Sequence, residues 1–175
     1  MKINVNNLVL NTKILRYGQK IFLSGAIYTA RDGAHKRIVD MLNNNEKLPI
    51  NIKNIVIYYC GPTFIKPGIV IGACGPTTSS RMDFFTPRIL NEGVKVLIGK
   101  GTRTKIVIDS IKKNNAVYLI ATGGVGAFIS KSVKKVDLIA FADLGPEAIY
   151  KFEVENMPLI VAIDSDGNDI FARNN

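Results

Sequence analysis

Tryptophan is absent, histidine occurs once and cysteine only twice in the 175 residues. These shortages exclude several chemistries at once. A single histidine, His35, leaves no material for a His-rich metal site, and no Ser-His-Asp set or pair of catalytic carboxylates stands out. Cys60 and Cys74 lie fourteen positions apart without CxxC or CxH spacing. Two thiolates fall short of the three or four protein ligands that a zinc ion or an iron–sulfur cluster usually takes. Each cysteine follows an apolar run and precedes Gly-Pro, the setting of a small buried residue at a strand end. A disulfide between them is not expected in a reducing compartment. Long hydrophobic runs are also missing. The longest, residues 55–60 and 158–163, are strand-sized, far below the roughly 20 residues needed to span a bilayer. No apolar stretch follows Lys2 before Asn6 and Asn7, so no secretory leader is read and a cytoplasmic location is expected.

Acidic residues are scarce too, 14 against 23 basic ones, for a formal charge of +9. Such a field attracts either nucleic acid or a small dianion together with an acidic partner. The basic residues are scattered, as at Lys112–Lys113 and Lys134–Lys135, and aromatics make up only 8% of the chain. No nucleic-acid motif accompanies them, so the small anion is the favoured partner. The phosphate-loop pattern GxxxxGK[ST] is absent as well.

What is present is a globular composition, 47% apolar and 21% charged, with glycine and proline dispersed. One domain over residues 1–175 is expected, and a chain of this size buries about 70% of its unfolded surface. Strand patterns fall at residues 3–9, 21–28, 54–60, 69–74, 94–98, 116–121, 136–141 and 159–163. Helical spacing falls at residues 32–44 and 102–113, within 78–91 where Pro87 interrupts or starts a turn, and in short pieces at 126–132 and 146–151. Asp166-Gly167 signals a turn before Ile170. Strands alternating with helices predict an α/β fold with a mixed, partly parallel sheet and flanking helices. The β-rich beginning and end predict an extra sheet layer or barrel-like element beside it.

Four polar clusters fall at strand-to-helix junctions, where ligands gather in such folds. Residues 29–36 place Arg31 beside a helix start that Thr29 or Asp32 could cap; a guanidinium there offers a planar fork to a carboxylate. Residues 72–83 follow two glycines with Thr77, Thr78, Ser79 and Ser80, then Arg81 and Asp83. With Thr77 or Thr78 at a helix start, Arg81 lies three or four positions on and faces the same way. Residues 97–103 present Lys100 between two glycines, and residues 121–126 form a glycine-rich turn that is not GxGxxG. Alone, each cluster also reads as an ordinary capped helix start or tight turn. Together, Arg31, Arg81 and Lys100 put three cations on one edge of the fold, and without carboxylate partners they would repel unless a dicarboxylate bound them. The set looks like half an active site.

At these residues the sequence resembles the β subunit, or C-terminal domain, of class I fumarases and the related L-tartrate dehydratases. The matching stretches are residues 23–36, 59–62, 75–83, 98–101, 143–149 and 161–169, in order along nearly the whole chain. Ser80 and Gly33 depart from the residues usual there, glycine and alanine. The resemblance implies a swivelling β/β/α domain. It implies a separate α subunit whose cysteines carry a 4Fe-4S cluster, and therefore a hetero-oligomer inactive as this chain alone. It further implies that Arg31, Arg81 and Lys100, with Thr78, bind substrate carboxylates, that Thr77 is the base at the substrate's C3, and that the acid lies on the partner. Fumarate hydration in the tricarboxylic acid cycle is the expected reaction, tartrate dehydration the alternative, and a non-catalytic anion- or nucleic-acid-binding module the alternative from another class.

Overall fold

The computed structural model describes residues 1–63, 70–121 and 129–172. Among these residues seven strands form one mixed sheet: β1 (Lys2–Asn4), β2 (Lys20–Thr29), β3 (Val56–Tyr58), β4 (Val96–Gly99), β5 (Val117–Ile120), β6 (Val133–Ala140) and β7 (Ile149–Ile163). Their order is β1-β2-β3-β4-β5-β7-β6, and β7 also pairs with β2. The pairs β2–β3, β3–β4 and β4–β5 are parallel, whereas β5–β7 and β7–β2 are antiparallel. Following these pairings around returns to β2, so five strands close into a ring with β1 and β6 attached to it. The β-rich ends of the chain were expected to form an extra layer or barrel-like element beside the parallel sheet; instead β7 closes the parallel strands themselves into the ring.

Period-two side-chain alternation divides the apolar residues between two cores. Val56, Tyr58, Val96, Ile98, Val117 and Leu119 join a cluster with Leu8, Leu23, Ile27, Phe152 and Val161. Their neighbours Ile57, Leu97 and Tyr118 join a second cluster with residues of the helices. Those helices are α2 (Asp32–Asn43), α3 (Thr86–Asn91) and α4 (Lys105–Lys113), contributing Ala34 and Ile38, Ile89 and Leu90, and Val107 and Ile111. A parallel strand buried on both faces reads as a continuous apolar run, which is why residues 54–60 and 94–98 were legible as strands. None of the described helices is long and apolar enough to cross a membrane.

Three expectations are corrected. Residues 3–9 are not one strand: β1 ends at Asn4, whose side chain accepts a hydrogen bond from the Asn6 amide at 3.0 Å and caps helix α1 (Val5–Leu10). Val5, Leu8 and Val9 are the buried positions, an i, i+3, i+4 set that fits a helix better than alternation does. Residues 146–151 are not a helix: a 3-10 turn over Ala142–Glu147 leads directly into β7, whose Tyr150, Phe152 and Val154 alternate into the first core. The described residues 70–74 of the expected strand 69–74 are irregular and make no named strand, although Thr63 pairs with this segment through the amide of Gly72 and the carbonyl of Ala73. The turn at 66–68, the cluster 121–126 beyond Ala121, and residues 126–128 of the helix expected at 126–132 lie outside the described residues.

Candidate active site

The carboxyl ends of the parallel strands converge where the polar clusters were expected. β3 runs into Tyr59 and Cys60. The Tyr59 carbonyl accepts the Thr77 amide at 2.6 Å, while the Tyr59 amide donates to the Ile98 carbonyl at 2.8 Å. Thr78 then bridges Lys100 in parallel register, directly after β4. Ser79 holds this junction from both sides: its amide donates to the Lys100 carbonyl at 3.0 Å, and its Oγ accepts the Lys100 amide at 3.0 Å. The Tyr118 hydroxyl donates to the same Oγ at 2.9 Å. Burial holds the Tyr118 phenol well above its ordinary range, so it keeps its proton and acts here as a donor.

Gly99 is required by this contact. A Cβ at that position would lie 1.9 Å from Ser79 Oγ and 2.9 Å from the Tyr59 ring. Gly99→Ala should therefore cost about 1–3 kcal/mol, the usual range for overpacking a filled core. Chemical denaturation checks it, and an unchanged midpoint would contradict the packing described.

The segment after Ser79 is a 3-10 turn, Ser79–Met82, with Thr78 at its N-cap. Threefold periodicity places Arg81 over Thr78, the relation anticipated for the hydroxyl and the cation. Asp83 then locks this segment to the one carrying Lys100. Arg103 Nε donates to Asp83 Oδ1 at 2.7 Å, and the Thr104 amide donates to Asp83 Oδ2 at 2.8 Å. The Arg103 side chain is fully buried. Its other contacts are Thr86 Oγ1 at 2.8 Å and the rings of Tyr59 and Tyr118, 5.3 and 5.0 Å from the guanidinium carbon.

Arg31 stands at the end of β2 and is itself the N-cap of α2, in extended conformation and without a side-chain cap bond. Neither Thr29 nor Asp32 caps the helix. Thr29 Oγ1 instead donates to the Ala148 carbonyl and accepts the Tyr150 amide. The first-turn amide of Gly33 is taken by Glu147 Oε2 at 2.8 Å, so an acid from the turn before β7 does the capping. Arg31 lies across the end of β3, since a Cβ on Gly61 would meet its Nη1 at 2.8 Å.

The expectation of three cations without acidic partners is overturned for two of them. Arg31 Nη2 is 3.3 Å from Glu147 Oε1 and 3.8 Å from Asp32 Oδ2, and Arg81 Nε donates to Asp32 Oδ1 at 3.0 Å. Lys100 is exposed, and no ion pair to its ammonium occurs among the described residues. Thr77 is half-buried and Thr78 exposed. The structure thus brings Thr77, Thr78, Arg81 and Lys100 onto one pair of segments and ties Arg31 to Arg81 through Asp32.

His35 is not part of a reactive set. Its Nδ1 lies 2.9 Å from the Arg31 carbonyl and must carry the proton to bond there. Burial pulls its pKa down to about 4, which keeps the ring neutral and packed edge-on to Tyr59. The two thiols do not suit an iron–sulfur cluster either. Cys60 and Cys74 are buried in the ring's core, and the hydrogen bond to Cys74, with burial, holds the Cys60 thiol well above its ordinary range. No group of three or more candidate metal ligands occurs among the described residues.

Residues 1–174 match the family model described as the fumarase C-terminus. A protein of Methanocaldococcus jannaschii, provisionally named L(+)-tartrate dehydratase subunit beta, is 41% identical over 167 residues, covering 92% of this chain and 86% of that one. Fumarate hydratase 2 of Leishmania major is 39% identical over 158 residues, covering 89% of this chain and 28% of that protein. The aerobic class I fumarate hydratase of Escherichia coli is 37% identical over 154 residues, with 87% and 28% covered. The chain therefore spans nearly all of the first relative but little more than a quarter of the two fumarate hydratases, and it belongs to the fumarase C-terminal family.

Proposed function

We propose that this chain is the β subunit of a hydro-lyase that interconverts fumarate and (S)-malate, working with an α subunit that carries a 4Fe-4S cluster. The observation that carries this reading is the assembly of Thr77, Thr78, Arg81 and Lys100 on two segments bonded through Ser79, with Arg31 tied to Arg81 by Asp32. The family relationship and the names of the relatives support the reaction class. The cluster, when bound to the partner, supplies Lewis-acid chemistry. This chain's own residues do the rest. Arg31, Arg81 and Lys100, with Thr78, hold the two carboxylates and fix the face of the substrate that Thr77 meets. Thr77 removes the C3 proton when malate is dehydrated and returns it on hydration. A threonine hydroxyl is a poor base near neutrality, so the cations around it must stabilise its alkoxide-like form; Arg81 and Lys100 serve that purpose.

Removing Arg31 or Arg81 tests the grip. In the complex with the α subunit, Arg31→Ala and Arg81→Ala should each weaken dicarboxylate binding by about 1.5–3 kcal/mol, the scale of a charged hydrogen bond, or roughly ten- to hundredfold in KM. Unchanged affinity in both variants would remove the carboxylate clamp.

The second reading, an L-tartrate dehydratase β subunit, is favoured by one observation. The Methanocaldococcus jannaschii relative matches over nearly the full length of both chains. The two substrates differ by one hydroxyl. Parallel turnover assays with fumarate and L-tartrate decide between them, and the preferred substrate is expected to be fumarate.

A further inference from the structure

Arg81 carries two edges with which a guanidinium can hold a carboxylate: the terminal Nη1/Nη2 pair, and the side that includes Nε. Asp32 takes the side edge, through Nε at 3.0 Å. The terminal nitrogens of Arg81 make no hydrogen bond among the described residues, and half of the side chain (52%) is exposed. Asp32 is itself held between two arginines. Its Oδ2 is buried and has no hydrogen-bond partner among the described residues, 3.8 Å from Arg31 Nη2. Arg31 in turn reaches Glu147, which is anchored by the Gly33 amide. Charges therefore alternate along a row, Glu147, Arg31, Asp32, Arg81, from the turn before β7 to the exposed edge. The row spans three parts of the chain far apart in sequence, so its order is a product of the fold.

We infer that Asp32 is the positioning residue of the dicarboxylate clamp, holding the Arg81 side chain by Nε so that its terminal fork is presented to a substrate carboxylate. The inference rests on the clamp reading above and adds a residue that the sequence offered only as a helix cap. The competing role for Asp32 is the opposite one, a carboxylate that occupies the arginine in place of substrate and must be pushed aside. Geometry separates the two. A placeholder would sit on the fork that the substrate needs, whereas Asp32 sits beside it. Without Asp32, two like charges on flexible stems would lie at one edge with nothing between them, and Arg81 would spread over many rotamers. As a stabilising contact the pair counts for little, being a partly exposed ion pair.

These roles predict opposite signs. In the complex with the α subunit, Asp32→Ala should raise the KM for fumarate about five- to tenfold, with a smaller change in kcat and a thermal midpoint within about 4 °C of the parent. Asp32→Asn, which keeps a neutral acceptor for Nε, should recover part of the loss. In an Arg81→Ala background, Asp32→Ala should add nothing, because the residue acts through Arg81. A lower KM for Asp32→Ala would make Asp32 a competitor of the substrate and overturn the inference. So would losses that simply multiply in the double variant. If Arg81→Ala alone leaves KM unchanged while the parent complex is active, Arg81 is no part of the clamp and this inference falls; if Arg31→Ala is silent as well, the clamp reading falls with it.

Discussion

Thr77→Ala, assembled with the α subunit, is expected to lose fumarate hydration by about 10²–10⁴-fold, the usual share of a positioned general base. Substrate affinity and assembly should barely change. The expectation follows from how Thr77 is held. Its backbone amide donates to the Tyr59 carbonyl, a bond that alanine makes equally well, and the side chain is only half-buried. The substitution therefore removes a hydroxyl without opening the core or unbinding the segment. Thr78→Ala should be much milder, lowering affinity rather than turnover, since Thr78 stands at the N-cap position of the 3-10 turn without a side-chain cap bond and meets Lys100 through backbone pairing. Steady-state kinetics on both variants separates the two hydroxyls. Near-normal turnover in Thr77→Ala would show that another group moves the proton.

Asp83→Ala is expected to cause the largest loss of stability, about 3–5 kcal/mol, because it strands a buried charge. The Arg103 side chain has no exposure at all, and Asp83 is its only carboxylate partner among the described residues. Its remaining partners, a threonine hydroxyl, a tyrosine hydroxyl and two aromatic faces, are neutral. The Thr104 amide at the N-cap of α4 would lose its acceptor as well. Set against the 5–15 kcal/mol typical of a folded domain, roughly, such a loss leaves a marginal protein. Asp83→Asn, which retains an acceptor, should lose less. Urea denaturation followed by circular dichroism measures both, and a loss below about 1 kcal/mol for Asp83→Ala would mean that solvent reaches Arg103. The same pair ties the segment bearing Arg81 to the one bearing Lys100, so the partly destabilised Asp83→Asn should also bind dicarboxylate less well.

The parts of the fold that were legible in sequence are those whose pattern is set locally. Helix α2 was expected over residues 32–44 and runs over Asp32–Asn43, because Ala34 and Ile38 recur at helical spacing in a polar segment. The central parallel strands were legible because burial on both faces removes polar residues from them. Legibility failed where a few residues serve two patterns. Residues 3–9 alternate well enough for a strand, yet Asn4 caps a helix and Leu8 and Val9 turn inward together. Pro146 and Glu147 suggested a helix start, but β7 draws its length from pairing with β2, β5 and β6, which residues 146–151 do not reveal. For the site, the motifs singled out the cations and hydroxyls, and the fold brings them together. Their acidic supports were hidden. Asp32 and Arg81 are 49 residues apart and Gly33 and Glu147 are 114 apart, so neither contact leaves a local signal. Ser79 is one of four consecutive hydroxyl residues, and what distinguishes it is the fold, which buries it against Gly99 and bonds it to Lys100 and Tyr118.

Anaerobic fumarate hydration by this chain alone, and by this chain mixed with its cluster-bearing α subunit, tests the central claim most directly. The account predicts no hydration by either subunit alone and malate formation in the mixture, with slower turnover of L-tartrate. An assembled mixture with an intact cluster spectrum that turns over neither substrate, or hydration by this chain alone, would contradict it.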